Sequence, residues 1–228
     1  MIGFYAAGAA NSGVAPVSMF VGASYAAGSQ SGTTMTLSVP AGAAPGDTLI
    51  WVAVLRGDRN LTVPSGWTAH QNLVVNPSTG VNSTQRTRFA ALSKPYAGES
   101  DVSVTHSANA AWGGLLAVVR GTIAQQTLGA ASQSNATGSI TPSANCTLIG
   151  VLAQHNIAPA SPPPSAAPAP GWTYDGAGYH DGAANQLNYM PRLYWRNSPG
   201  GVPTSLSPAA DYGSLSQRVG VVWIAEVR

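Results

Sequence analysis

One stretch of the sequence, Gly46–Thr68, occurs a second time farther along the chain. The first copy reads Gly-Asp-Thr-Leu-Ile-Trp-Val-Ala-Val-Leu and, after a polar turn, ends in Val-Pro-Ser-Gly-Trp-Thr. The second copy starts at Asn145 with Asn-Cys-Thr-Leu-Ile-Gly-Val-Leu-Ala and ends at Thr173 in Ala-Pro-Gly-Trp-Thr. Two later pairs keep the same order: Arg88 with Arg192, and Arg120 with Arg228. Matches that keep one order over most of the chain indicate a duplicated structural unit.

The repeated unit has the pattern of β-strands. Thr34–Val39 alternates polar and apolar residues, as a half-buried strand does, and Thr48–Leu55 is a continuous apolar run of strand length. Gly, Pro and Asp separate such runs, and no helical period is sustained. These features predict an all-β fold: an antiparallel, jelly-roll-like β-sandwich built from two repeated halves, with an extended N-terminal arm.

The repeat divides the chain into four segments. We expect an arm over residues 1–30, a first β unit over 31–121, a linker over 122–137 and a second β unit over 138–228. The two units could form two tandem domains or two halves of one sandwich. The short linker favours close packing of the units as one sandwich.

Charge and cysteine content exclude several functions. Charged residues are 8% of the chain, against roughly 25% in an average soluble domain, and the net charge is +2. Because the basic residues are dispersed, we expect no nucleic-acid partner. The single cysteine, Cys146, allows no intramolecular disulfide and no cysteine-based metal site. No apolar run is long enough to span a membrane, so we expect no membrane partner.

Catalytic motifs are not visible in the sequence. The four histidines lie in separate segments, without the spacing of a metal site, and no nucleophilic serine motif occurs. We therefore predict no catalytic residue, no metal, no cofactor and no enzymatic activity. A hydrolase is the open alternative, and it would use Glu99 and Asp101, two residues apart beside a turn.

The first thirty residues are rich in Gly, Ala and Ser, with isolated large apolar side chains. Such spacing does not form an amphipathic helix, but it suits an arm that docks on a partner subunit. No Lys or Arg precedes Arg56, so we expect a retained arm and not a secretory signal. The predicted partner-binding residues of the arm are Ile2, Phe4, Tyr5, Val17 and Phe20.

Aromatic residues offer a second candidate surface. The six tryptophans fall in or beside predicted strands, where core filling is the favoured interpretation and stacking on sugar rings the alternative. Tyr174, Tyr179 and Tyr189 cluster around the loop after the second Gly-Trp-Thr. Tyrosines on loops give a large contact area at low entropy cost, so these three form the predicted recognition surface.

A family resemblance rests on five motifs in order. They are Val39-Pro-Ala-Gly, Gly46-Asp-Thr-Leu, Pro64-Ser-Gly-Trp-Thr, Arg88-Phe-Ala-Ala-Leu-Ser and Trp112-Gly-Gly-Leu-Leu-Ala-Val-Val-Arg-Gly. Over residues 33–228 the chain resembles a duplicated β-sandwich module of tailed-bacteriophage structural proteins. The opening Met-Ile-Gly-Phe-Tyr-Ala-Ala-Gly is similar to the N-termini of proteins encoded among virion genes. The resemblance implies a fold and carries no catalytic residue.

The function expected from this resemblance is structural. It implies a capsid decoration protein or a tail- or fibre-associated protein, made in the host cytoplasm and located in the virion. The expected partners are other virion proteins and further copies of the chain, and a host-surface glycan is a further candidate. The alternative is a carbohydrate-binding or adhesive module of a bacterial surface protein.

Overall fold

The fold is known from a computed structural model, which describes residues 18–28, 32–57, 59–75, 86–130, 136–143, 145–156, 170–178, 189–207 and 217–228. Within these ranges every regular element is a β-strand. The strands are β1 (Phe20–Gly28), β2 (Thr34–Ser38), β3 (Thr48–Arg56), β4 (Leu61–Thr62), β5 (Thr68–Val75), β6 (Thr87–Pro95), β7 (Asp101–His106), β8 (Trp112–Val119), β9 (Ile123–Ala130), β10 (Gly138–Ile140), β11 (Cys146–Asn156), β12 (Thr173–Ala177), β13 (Tyr189–Ser198), β14 (Thr204–Leu206) and β15 (Gln217–Val227).

The first sandwich is formed by strands β1 to β8. Its five-stranded sheet has the order β1-β8-β3-β6-β5, and a three-stranded sheet, β2-β7-β4, covers one face. In β2 the alternation predicted from the sequence buries Met35 and Leu37 and leaves Thr34 and Thr36 exposed. The two buried side chains pack with Trp51 and Leu116 of the larger sheet.

The second sandwich is formed by strands β9 to β15. Its five-stranded sheet has the order β12-β13-β11-β15-β9, and the two-stranded sheet β10-β14 covers one face. Leu206 of β14 packs with Leu148, Trp172 and Tyr194 in this core. Gly150 lies beneath Trp172, where an added Cβ would stand 2.5 Å from Leu206 and 2.9 Å from the indole.

A third apolar core lies between the two five-stranded sheets. Ile50 and Leu115 meet Ile149, Leu193 and Trp223 there, all fully buried. Both central strands, β3 and β11, are apolar on both faces, so each sheet needs a cover on both sides. The prediction of an all-β antiparallel sandwich is confirmed. Each unit contributes one large and one small sheet, and the two units pack together through this core.

The two five-stranded sheets have corresponding strand orders. Read from the matching edge, the first is β1-β8-β3-β6-β5 and the second is β9-β15-β11-β13-β12. The two copies of the apolar stretch occupy the central strands β3 and β11, and the two copies of Gly-Trp-Thr lead into the edge strands β5 and β12. A duplicated unit would produce this correspondence, and the duplication itself stays a prediction.

Two expected segments contain strands. The linker expected over 122–137 includes β9, which pairs with β15, and the arm expected over 1–30 includes β1, which pairs with β8. The strand β9 was not predicted because Gln125 and Gln126 are polar, and polar residues are also expected in a loop. In the fold both amides form hydrogen bonds with side chains of β15.

A β-bulge follows Gly-Trp-Thr in each sandwich. The bulge in β5 leaves His70 without a register partner, and the bulge in β12 does the same for Asp175. Each of these residues reaches the edge strand of the other sandwich. The amide of Gln126 in β9 lies 3.1 Å from His70 Nδ1, and the Tyr25 hydroxyl in β1 donates to Asp175 at 2.5 Å. The bulges therefore direct polar side chains into the joint between the sandwiches.

Candidate functional site

A groove of about 520 Å³ opens between the end of β13 and β14 in the second sandwich. Pro170, Pro199 and Pro203 contribute to its walls, and their rings restrict rotation of the backbone. Serines and a threonine supply hydroxyl groups between these rings. Among the described residues that line the groove, Arg196 carries the only charge. The groove thus combines proline rings and Val202 with hydroxyl groups and one cation.

Arg196 is held in place by the second Gly-Trp-Thr. Its guanidinium carbon lies 5.8 Å from the centre of the Trp172 ring, a cation–π distance. Gly171, with φ at 81°, lets the guanidinium approach, because a Cβ there would stand 3.2 Å from Nη1. The Trp172 indole donates to the Ser205 carbonyl at 3.0 Å, which ties it to β14. The cation therefore rests on a rigid platform.

The first sandwich has a similar cation above its own Gly-Trp-Thr. Lys94 Nζ lies 5.6 Å from the centre of the Trp67 ring. Lys94 also forms an ion pair with Glu99. Within the described parts of the chain, no carboxylate pairs with Arg196, and its Nε is buried without a hydrogen-bond partner. Among the described residues, Lys94 has a carboxylate partner and Arg196 has none.

The predicted tyrosine surface is only partly described. Tyr174 is 38% exposed, and its ring lies 5.4 Å from that of Tyr194. Tyr179 lies outside the described residues, as does the side chain of Tyr189, whose backbone belongs to β13. The groove beside Arg196 was not predicted. The sequence contains both Trp172 and Arg196, but their spacing does not show that the two side chains are in contact.

Of the five predicted arm residues, the structure describes one. Ile2, Phe4, Tyr5 and Val17 lie outside the described residues. Phe20 is partly buried at the start of β1, where its ring stacks on Trp195 of the second sandwich at 5.5 Å. In the isolated chain this side chain therefore has an internal partner, and the partner-binding role predicted for it stays a prediction.

The two acids named for a hydrolase have structural contacts. Glu99 forms the ion pair with Lys94 and accepts from the backbone N–H of Ala97 at 3.0 Å. Asp101 accepts from the hydroxyls of Ser38 at 2.7 Å and Ser100 at 3.2 Å. Both carboxylates thus brace the strand β7 and the turn before it.

A chain of hydrogen bonds crosses the joint between the sandwiches at His70. Trp223 Nε1 donates to Gln126 Oε1 at 2.5 Å, which directs the Gln126 amide nitrogen to His70 Nδ1. His70 Nδ1 must therefore accept, so Nε2 carries the proton and donates to the Ser93 hydroxyl at 2.7 Å. This arrangement requires a neutral imidazole. Burial also lowers the pKa of His70 below its ordinary value.

We expect stability to fall as the pH drops through the ordinary histidine range. Because the folded pKa of His70 is lowered, the unfolded chain takes up its proton first, near pH 6.5, and the loss ends below the folded pKa. His70→Gln should reduce the slope of the unfolding free energy between pH 7 and pH 5, measured in urea. Burial also lowers the pKa of His106, so His106→Gln should remove a separate part of the slope. A slope in His70→Gln equal to that of the unchanged protein would contradict the prediction for His70.

The described part of the chain contains no group of three or more His, Cys, Asp or Glu side chains placed to hold a metal ion. Within that same part, no helix has the length and apolar character needed to cross a membrane. No family model, no curated protein and no solved structure matches the chain.

Proposed function

We propose that this protein is a non-enzymatic structural protein of a bacteriophage virion. It decorates the capsid or belongs to the tail or fibre, and its N-terminal arm anchors it to other virion proteins. The paired sandwiches project from the particle, in several symmetric copies that increase the avidity of outward contacts. The resemblance of residues 33–228 to a phage module supports this proposal, as does the low charge of the chain.

The observation that carries the proposal is that residues 18–20 contact both sandwiches. The backbone N–H of Met19 donates to Thr147 Oγ1 of the second sandwich at 3.0 Å. The Met19 carbonyl accepts from the backbone of Arg120 in the first sandwich at 2.7 Å. Phe20 then stacks on Trp195. A load on the segment before residue 18 would therefore act on both sandwiches at once, as an anchoring arm requires.

Close backbone packing also joins the two sandwiches near the base of the arm. Gly121, with φ at 113°, follows β8, and an added Cβ would stand 2.4 Å from the Arg228 carbonyl oxygen. The backbones of Thr122 and Arg228 exchange two hydrogen bonds, at 2.7 and 3.0 Å. The connection between the sandwiches is therefore fastened at the same end of the molecule as the base of the arm.

The test is binding to phage particles from which accessory proteins have been removed. The full-length chain should sediment with the particles, and a variant lacking residues 2–17 should not. This deletion spares β1, so the melting temperature should not change. Because each buried apolar side chain contributes about 1.5–3 kcal/mol, the combined change Ile2→Ser, Phe4→Ser and Tyr5→Ser should weaken binding at least about a hundredfold.

A variant at two polar residues of the arm is the matched control for this test. The change Asn11→Ala with Ser12→Ala alters polar arm residues and should leave binding unchanged. Equal binding of the full-length and shortened chains would overturn the anchoring role of the arm. No binding of either chain would overturn the virion proposal. It would favour the alternative, a carbohydrate-binding module of a bacterial surface protein, for which the groove beside Arg196 is the supporting observation.

A further inference from the structure

We propose that the groove beside Arg196 binds an acidic saccharide, a sugar that carries a carboxylate or a phosphate. The guanidinium of Arg196 pairs with the anionic group, and the polar walls bind the sugar hydroxyls. This inference goes beyond the proposed function and does not depend on it. It would hold whether the protein is part of a virion or of another surface assembly.

The charge of Arg196 has no carboxylate partner among the described residues. Both Gly-Trp-Thr segments hold a cation over an indole ring, but only Lys94 of the first sandwich has a carboxylate, Glu99, as its partner among the described residues. Arg196 lines the groove instead, and its Nε is buried without an acceptor. A partly buried guanidinium gains most from an anion that can accept two parallel hydrogen bonds. Carboxylate and phosphate groups both have this geometry.

Contacts on both sides of the groove hold its residues in place. The Trp172 ring and the close approach at Gly171 fix the guanidinium, and Trp172 is itself fixed by its hydrogen bond to Ser205. On the other wall, the Ser198 hydroxyl accepts from Gly200 N–H at 3.1 Å. Little conformational entropy is therefore lost when a ligand binds, which favours recognition of a small molecule.

The size and the walls of the groove suit a small hydroxylated ligand. A volume of about 520 Å³ lies within the range of small-ligand sites. The exposed Ser205 and partly exposed Ser207 contribute hydroxyls, while the Trp172 face towards Arg196 is occupied by the guanidinium. Beside its proline rings and Val202, the groove therefore offers hydroxyl groups and one charge, which suits a hydroxylated anion. A nucleic acid would need several cations along its backbone, and the described lining supplies one.

The test is an NMR titration of the full chain with four probes. Glucuronate and glucose 6-phosphate carry the two anions on a sugar, glucose lacks the anion, and acetate lacks the sugar. One or both acidic sugars should bind, and glucose and acetate should bind at least tenfold more weakly. The indole N–H signal of Trp172 should shift, and that of Trp67 should not. Whichever acidic sugar binds more tightly identifies the anion.

Variants test the role of Arg196 itself. Arg196→Gln should weaken binding of the acidic sugar roughly 10- to 100-fold, since it removes charge-assisted hydrogen bonds. Lys94→Gln removes the equivalent cation of the first sandwich and should leave binding unchanged. Arg196→Lys keeps the charge and should retain part of the affinity, which separates loss of binding from loss of folding. Equal affinity for glucose and the acidic sugars, unchanged binding by Arg196→Gln, or no binding of any probe would overturn the proposal.

Discussion

Replacing Trp223 by alanine should destabilise the protein by about 4 kcal/mol, the range found when a buried tryptophan is truncated. Trp223 is fully buried in β15, within the core that the two five-stranded sheets share. Its ring lies 6.2 Å from that of His70, and its N–H donates to Gln126. The change would therefore open a cavity at the joint and remove the donor that orients the hydrogen-bond chain. Urea unfolding at neutral pH measures the loss.

Two further variants separate the packing of Trp223 from its hydrogen bond. Trp223→Phe keeps most of the ring but leaves Gln126 Oε1 without its donor, so we expect a loss of about 1–2 kcal/mol. Val202→Ala, at a side chain that is 66% exposed, should change stability by less than about 0.5 kcal/mol. If Trp223→Ala destabilised the protein no more than Val202→Ala, the shared core would not stabilise the fold.

The sequence predicted the strands whose hydrophobic pattern agrees with their final environment. The continuous apolar run Thr48–Leu55 is a central strand covered on both faces, and the alternating Thr34–Val39 contains a strand covered on one. The strand β9 does not fit either pattern, because its Gln125 and Gln126 are stabilised by partners that lie about a hundred residues away. Local pattern cannot report such partners.

The number of sheet layers could not be predicted from the sequence either. An apolar run covered on both faces is expected in a central strand, and β3 and β11 both have such runs. Which surface covers each face is not encoded locally. One cover is the small sheet of the same unit, and the other is the large sheet of the other unit. The apolar runs alone do not distinguish this arrangement of the two units from another that also covers both faces of β3 and β11.

The candidate groove was unpredictable for a related reason. Core filling is the interpretation that the sequence favours for the tryptophans, and Trp172 is buried. The position of Arg196 above this indole depends on the pairing of Trp195 with Thr173 between β13 and β12. Strand register is a tertiary property, so the sequence could name the platform but not the cation that it supports.

Glu226, in β15 of the second sandwich, is a fully buried charged residue. Its carboxylate is fully buried and accepts hydrogen bonds from the Gln125 amide and from the hydroxyl and backbone N–H of Ser143. Arg228 Nε lies 3.1 Å away. Burial alone would raise the pKa of Glu226, but these hydrogen bonds and the arginine charge outweigh it, and the pKa is lowered. The ionised form is therefore the one that stabilises the fold.

Replacing Glu226 by glutamine should destabilise the protein by about 3 kcal/mol at pH 7, because the charge-assisted hydrogen bonds are lost and one amide donor faces another. Since the folded pKa is below the unfolded value of about 4.5, the stabilisation is present above that pH and is lost as the pH falls through the folded pKa. The difference between wild type and Glu226→Gln in urea unfolding should therefore shrink below pH 4.5. Asp101→Asn, at an exposed carboxylate, should cost about 0.5 kcal/mol or less. A difference that stayed constant down to pH 3 would show that shape, and not charge, accounts for the loss at Glu226.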